Sequence, residues 1–260
     1  MTVGPATRRG HREALVIVVL VALILVTLVA AMTTGSYATP LQQLANIFVD
    51  LVTGQGVAQE NSQAVYVLTV IRIPRLLLSL MAGGALAISG AAYQGLLRNP
   101  MVSPDILGVS SGASTGAILC LLMGASLWVM QGVAFAFGLG AVGVVLLLGR
   151  LIGRGSSKLL VLVLAGVVIS SIFSAFTSLI KYIADSNDKL PAIVFWIMGS
   201  FARSSNWNSL LVLMVAMLVG TIPLMLLRHR MNVLSFGEEE AQTMGINVRR
   251  TRLIIICCAT

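Results

Sequence analysis

Long apolar runs separated by short polar breaks set the plan of this 260-residue chain. The first run, residues 14–32, follows Arg8, Arg9, His11 and Arg12. At about 1.5 Å per helical residue it crosses a hydrocarbon core of roughly 30 Å. A basic stretch before the run and small residues after it also fit a cleaved signal peptide, although the run is longer than the roughly 7–15 residues of a signal core. Thr39-Pro40 then opens a short helix that Gly54 closes, with Leu41, Leu44, Ala45, Phe48, Leu51 and Val52 on one face and Gln42, Gln43, Asn46 and Asp50 on the other. It is too short to span, and its two-faced pattern predicts a helix lying along the outer membrane surface.

A polar link reaches Gln63, and apolar residues 64–71 lead into Arg72-Ile73-Pro74-Arg75, where the proline is expected at a helix start. A second span covers residues 76–97 and is turned by Arg98-Asn99-Pro100. Ser103-Pro104-Asp105 supplies a cap, a first-turn proline and a carboxylate for a third span ending near Met123. Gly124-Ala125-Ser126 turns the chain into a fourth, residues 127–152, whose far end carries Arg150, Arg154 and Lys158. A fifth runs over 159–183. Behind Pro191, residues 192–198 are too few to cross and are expected as a re-entrant or surface helix held by protein. A sixth span, 210–227, is closed by Arg228, His229 and Arg230, and after a hydrophilic connection over 231–250, residues 253–260 begin a seventh that the sequence cuts off. The expected fold is an all-α polytopic membrane protein with six full transmembrane helices, a truncated seventh and short surface helices, in one C-terminally incomplete membrane domain over 1–260.

Composition agrees with that plan: 57% of residues are hydrophobic and 10% charged, against about 25% charged in soluble domains, and the mean hydropathy is +0.96. A net charge of +8 would suggest nucleic acid in a soluble chain, but here the basic residues stand in the short breaks between apolar runs, so no nucleic-acid partner is indicated. An N-terminus inside the cell places 12 of the 17 basic residues there, leaving Arg72, Arg75, Lys181, Lys189 and Arg203 outside. Trp128, Trp196 and Trp207 then fall at the outer interface, which indole rings favour. Cys120, Cys257 and Cys258 lie inside apolar runs without zinc or redox spacing and are expected as buried packing residues. Neither histidine suggests a ligand set or a base. The chain has no glycine-rich loop ending in Gly-Lys-Ser/Thr, so any ATP hydrolysis, with its magnesium, belongs to a partner chain and this chain is not itself an enzyme.

Small residues recur every four positions at Gly83, Ala87, Ala91 and Gly95, and again at Gly108, Gly112 and Gly116. Lipid is as apolar as leucine, so such ridges mark helices held by close packing against protein; Gln94 joins them as a candidate for packing or for a pathway. Gly166, Ser170, Ser174 and Ser178 share the spacing, and that hydroxyl-bearing face either bonds to backbone carbonyls or lines a wet pathway. Arg72 and Arg75, three apart, are expected on one side of a helix, either anchoring it to headgroups or meeting acidic residues of an external partner. Glu238, Glu239, Glu240 and Ala241 through Gly245 form a short helix whose acidic start suits the helix dipole and which Gly245 can end.

The wording RIPR, then GALAISGAAYQGLLRNP, then PDILGVSSGAS, and later SFGEEEAQTMGINVRRTR, resembles the permease family of bacterial ATP-driven importers, the FecCD and BtuC type, for ferric siderophores, haem and cobalamin. The likeness covers nearly the whole chain after the first span and implies about ten spans in a full member. It implies a multi-pass permease of the cytoplasmic membrane, working as a dimer with a second copy or a paralogue. Its implied partners are two cytoplasmic ATPase subunits, an external substrate-binding protein whose glutamates pair with the arginines of RIPR, and lipid; no cofactor or metal is implied in this chain. Residues 231–250 then correspond to the family's cytoplasmic coupling helices. PDILGVSSGAS reads closer to siderophore importers than to cobalamin ones. The alternative, an ion-coupled secondary transporter or membrane-enzyme subunit, calls for carboxylates at mid-membrane; the nearest, Asp105, sits at a helix start by the cytoplasmic edge.

Overall fold

The computed structural model describes residues 5–35, 37, 39–53, 62–152, 158–201 and 207–260, with backbone alone at 5–11, 48, 50–52, 158–159 and 238. Gly54, Arg154 and Arg203, and the side chains of Arg8, Arg9, His11, Phe48, Asp50, Leu51, Val52, Lys158 and Glu238, therefore lie outside what is described. Every described regular element is helical. The chain forms two compact units, one of residues 1–80 with 201–211, the other of 81–200 with 212–260.

In the first unit, α1 (Pro5–Thr33) contains the span Arg12–Thr33, and no residue of its most apolar stretch is buried. Leu20, Leu23 and Val26 are exposed in a way that hydrocarbon tolerates and water does not. The amphipathic helix α2 (Leu41–Thr53) is present, but it is turned relative to its expected face. Leu44 and Ile47 are the pair that reach Ala64 and Leu68 of the next helix, and Leu41 is left exposed. Three-residue spacing puts Leu44 and Ile47 on one stripe, and contact with protein fixes that stripe as the inner one.

That next helix, α3, runs unbroken over Ser62–Leu97 and passes from the first unit into the second. Pro74 is thus not at a helix start. Proline lacks an N–H and its ring crowds the preceding turn. The backbone answers with a π-helical segment, Val67–Arg72, in which Ile73 N–H reaches back five residues to the carbonyl of Leu68. The wider turn absorbs the proline, so the helix continues instead of ending.

The second unit is built on α4 (Val109–Leu122), which buries Val109, Gly112, Thr115, Gly116, Ala117, Ile118 and Cys120. Its start differs from expectation. Ser103 caps nothing; Asp105–Leu107 make one 3-10 turn, and Gly108, left-handed at φ 78°, breaks the chain before α4 begins. Ile106 packs its carbonyl onto Gly166 of α6, and Gly108 lies against Ser170, so the turn is held by close contact with α6. With 14 residues, α4 is shorter than its neighbours. The helices long and apolar enough to cross number five among the described residues: those of α1, α3, α5 (Leu127–Leu151), α6 (Lys158–Ile183) and α8 (Trp207–Leu226). The shortness of α4 agrees with its burial, since irregular backbone at membrane depth is stable only inside protein.

Between α6 and α8, the short α7 (Lys189–Met198) buries Ile193 against Ile118, Ile180 and Ala184, as expected of a helix held by protein. After α8 come α9 (Arg228–Phe236), α10 (Glu238–Thr243) and α11 (Val248–Ala259), so the hydrophilic connection is largely helical. Helix α11 starts before the apolar run does, because Asn247 caps it by accepting the N–H of Arg250. It buries Val248, Thr251, Ile255, Ile256 and Ala259 and leaves Cys257 exposed on its other face, so only Cys120 of the three cysteines is fully buried.

Candidate functional site

The small-residue ridges divide into two kinds. On α4, a methyl group at Gly112 would stand 2.7 Å from the carbonyl oxygen of Phe137 and 3.0 Å from Cβ of Ala141, and one at Gly116 would stand 3.0 Å from the Val133 carbonyl. These two glycines let α4 and α5 approach to backbone contact. Thr115, between them, donates to the carbonyl of Phe173 at 3.1 Å and lies 3.1 Å from the Thr177 hydroxyl, tying α4 to α6 as well. On α3, a methyl group at Gly95 would stand 3.6 Å from the end of the Met231 side chain, while one at Gly83 would meet open space, and Ala87, Ala91 and Gln94 are exposed. The buried side of α3 there is instead Ala92, Tyr93 and Leu96.

On α6 two hydroxyls bond back to their own helix, Ser171 to the Val167 carbonyl at 2.9 Å and Ser178 to that of Ser174 at 3.0 Å. Ser174 and Ser178 are exposed, whereas Ser170 packs against Gly108. Asp105 is exposed and accepts a hydrogen bond from Ser110.

The two arginines do not share one environment. Arg72, last residue of the π segment, is 9% exposed. Its Nη1 donates to the Met32 carbonyl and to Thr39 Oγ1, the latter at 2.6 Å, and its Nη2 donates to the Tyr37 carbonyl. Arg75 is half-buried, and its Nε, shut off from solvent, has no hydrogen-bond partner among the described residues.

The acidic segment forms a small, firmly seated platform. Gly237, at φ 159°, starts α10 beneath the Glu240 carboxylate, which a side chain at residue 237 would displace. At the other end, Gly245 N–H bonds the Gln242 carbonyl at 2.9 Å and Ile246 N–H that of Ala241 at 3.0 Å, with Gly245 left-handed at φ 77°. This is a Schellman close, with the Ile246 side chain packed inward behind it. Ala241 is 0% exposed and, with Leu234 and Val248, belongs to the core of the second unit. Glu239 and Glu240 face outward. So do two apolar side chains that charge-based reading passes over, Phe236 at 76% and Met244 at 69% exposure, one beside each glycine. Their only sequence signal is a large apolar residue next to a helix-ending glycine, where it cannot join the buried stripe.

A model of the FecCD transport family matches residues 21–260. The molybdate import system permease protein MolB of Haemophilus influenzae is 37% identical over 234 residues, 90% of this chain and 68% of that one. The hemin transport system permease protein HmuU of Yersinia pestis is 35% identical over 190 residues, 72% of this chain and 56% of that one. A solved metal-chelate type ABC transporter in an inward-facing conformation superposes with a TM-score of 0.69 at 35% identity, over 92% of this chain and 69% of that one. Against its relatives the chain spans from 50% to 68% of their length.

Proposed function

This chain belongs to the FecCD transport family, and on that premise we propose that it serves as the membrane-spanning permease of an ATP-driven importer. It acts with a second copy or a paralogue, two cytoplasmic ATPase subunits and an external substrate-binding protein. The observation that carries the reading is the family match from residue 21 to residue 260. Residues 1–260 act in it as one permease domain, with the N-terminus cytoplasmic as the basic-residue count favours. Spans α3, α5, α6 and α8 hold no carboxylate, which disfavours an ion-coupled carrier, whose binding site needs one at membrane depth.

No bond is made or broken in this chain; it offers alternating conformations, each selected by contacts that only it can make. Docking at the outer mouth falls to the cations of RIPR. Coupling falls to α10, whose seat in the core makes it a lever instead of a loop. The exposed faces at Gly83, Ala87, Ala91 and Gln94 of α3, and at Ser174 and Ser178 of α6, are the surfaces available to partner helices or a pathway. The 3-10 turn and the 14-residue helix α4 that follows it complete a sixth crossing with the help of surrounding protein.

The cargo we propose is a ferric siderophore, supported by the wording of PDILGVSSGAS. Cells lacking their own permease and expressing this chain, offered labelled ferric siderophore, molybdate, haem and cobalamin in parallel, should accumulate the siderophore. Accumulation of another of the four instead would reassign the cargo.

A further inference from the structure

We infer that the two outer arginines divide their labour: Arg72 is a positioning residue that staples the end of α1 to α3, and Arg75 alone is the cation left for an acidic partner. The inference rests on the docking reading above and changes which residue carries it.

The first ground is donor use. A guanidinium offers five N–H groups in a fixed fork. At Arg72 both hydrogens of Nη1 and one of Nη2 are spent, on Met32, Thr39 and Tyr37, and Thr39 Oγ1 in turn donates to the Met32 carbonyl at 3.2 Å. Each of these partners is an uncharged oxygen. Such a site recognises the fork's shape, whereas a docking cation is recognised by its charge.

The second ground is what those oxygens belong to. Met32 lies in the last turn of α1, where carbonyls have no partner within the helix and positive charge is favoured. Tyr37 and Thr39 lie in the link that enters α2. One side chain thus ties the close of α1 and the entry to α2 onto the π turn of α3. Gly35 makes room for it, since at φ 150° a methyl group there would stand 2.9 Å from Nη2. The π turn supplies the aim, because one extra residue in a turn rotates the remainder of the helix by about 100°.

The third ground is Arg75, three residues on. It is only half-buried, and among the described residues nothing pairs with its guanidinium, so its charge is left for a partner's carboxylate to meet at the part of the side chain open to solvent.

The test is a set of substitutions in the full chain in lipid nanodiscs. Arg72→Lys keeps the charge and loses the fork; Arg72→Gln loses the charge and keeps an N–H₂; Arg75→Gln is the comparison. Chymotrypsin cleavage after Tyr37 reads the staple without any partner, and affinity for the transporter's external substrate-binding protein at several salt concentrations reads the docking charge. The expected result is at least tenfold faster cleavage in Arg72→Lys, wild-type cleavage in Arg75→Gln, and a salt slope lowered by Arg75→Gln but unchanged by Arg72→Gln. Unchanged cleavage in Arg72→Lys overturns the staple, and a salt slope lowered equally by Arg72→Gln overturns the division of labour. If neither arginine alters docking, the docking reading fails while the cleavage result still decides the role of Arg72.

Discussion

Replacing Gly112 by alanine tests the helix contact on which the second unit is built. The new Cβ would sit 2.7 Å from the carbonyl oxygen of Phe137 and 3.0 Å from Ala141 Cβ. Carbon and oxygen rest at about 3.3 Å or more, so α4 and α5 must part by about 0.6 Å at their crossing. A gap of that size forfeits roughly a quarter to a half of the dispersion energy of each contact it opens, and overpacking of this kind costs about 1–3 kcal/mol. Alanine returns up to about 1 kcal/mol of helix propensity over glycine. The control is Gly140→Ala on α5, where nothing lies within 4 Å and only the propensity gain remains. Reversible unfolding in mixed micelles, followed by tryptophan fluorescence, should therefore separate the two variants by about 1–3 kcal/mol, roughly a 5- to 150-fold difference in unfolding constant. Gly112→Ala as stable as Gly140→Ala would refute the reasoning.

Other expectations are cheaper to check. Gly245→Ala forces a left-handed alanine at φ 77°, costing about 1 kcal/mol, and should lower cargo-stimulated ATP hydrolysis while basal hydrolysis by the ATPase subunits persists; unchanged stimulation would remove Gly245 from coupling. Phe236→Ala and Met244→Ala should each weaken assembly with the ATPase subunits about tenfold or more, as loss of a buried apolar anchor does, whereas Glu239→Gln should chiefly alter the association rate and its salt dependence; surface plasmon resonance separates the two. A cysteine at Thr243 should react with an impermeant maleimide only in opened cells, and labelling from outside intact cells would reverse the assigned sidedness.

How far the sequence reaches depends on whether an effect is local. Apolar runs located α1, α3, α5, α6 and α8 because length and hydropathy are properties of a contiguous stretch. The glycines of α4 were legible for the same reason: a four-residue spacing makes a ridge wherever the helix goes. The continuation of α3 through Pro74 was not, since the proline reads as a start unless the π turn before it is known. Nor was the burial of Arg72, whose partners lie 33 to 40 residues away in the chain. The ridge on α3 shows the limit from the other side, because spacing announces that a face can be packed without saying that anything within this chain packs it. On the acidic segment the charges drew the eye, yet Ala241 proved to be its buried root and Phe236 and Met244 its exposed tips.

The central claim is that transport through this permease is driven by ATP hydrolysis on partner subunits. The direct measurement is uptake of labelled ferric siderophore in cells carrying this chain, its ATPase subunits and its binding protein, with ATP and the proton gradient removed separately. The account predicts accumulation that survives a protonophore and stops when the ATPase subunit's phosphate-binding lysine is replaced. Uptake that the protonophore abolishes and the ATPase substitution leaves intact would contradict it.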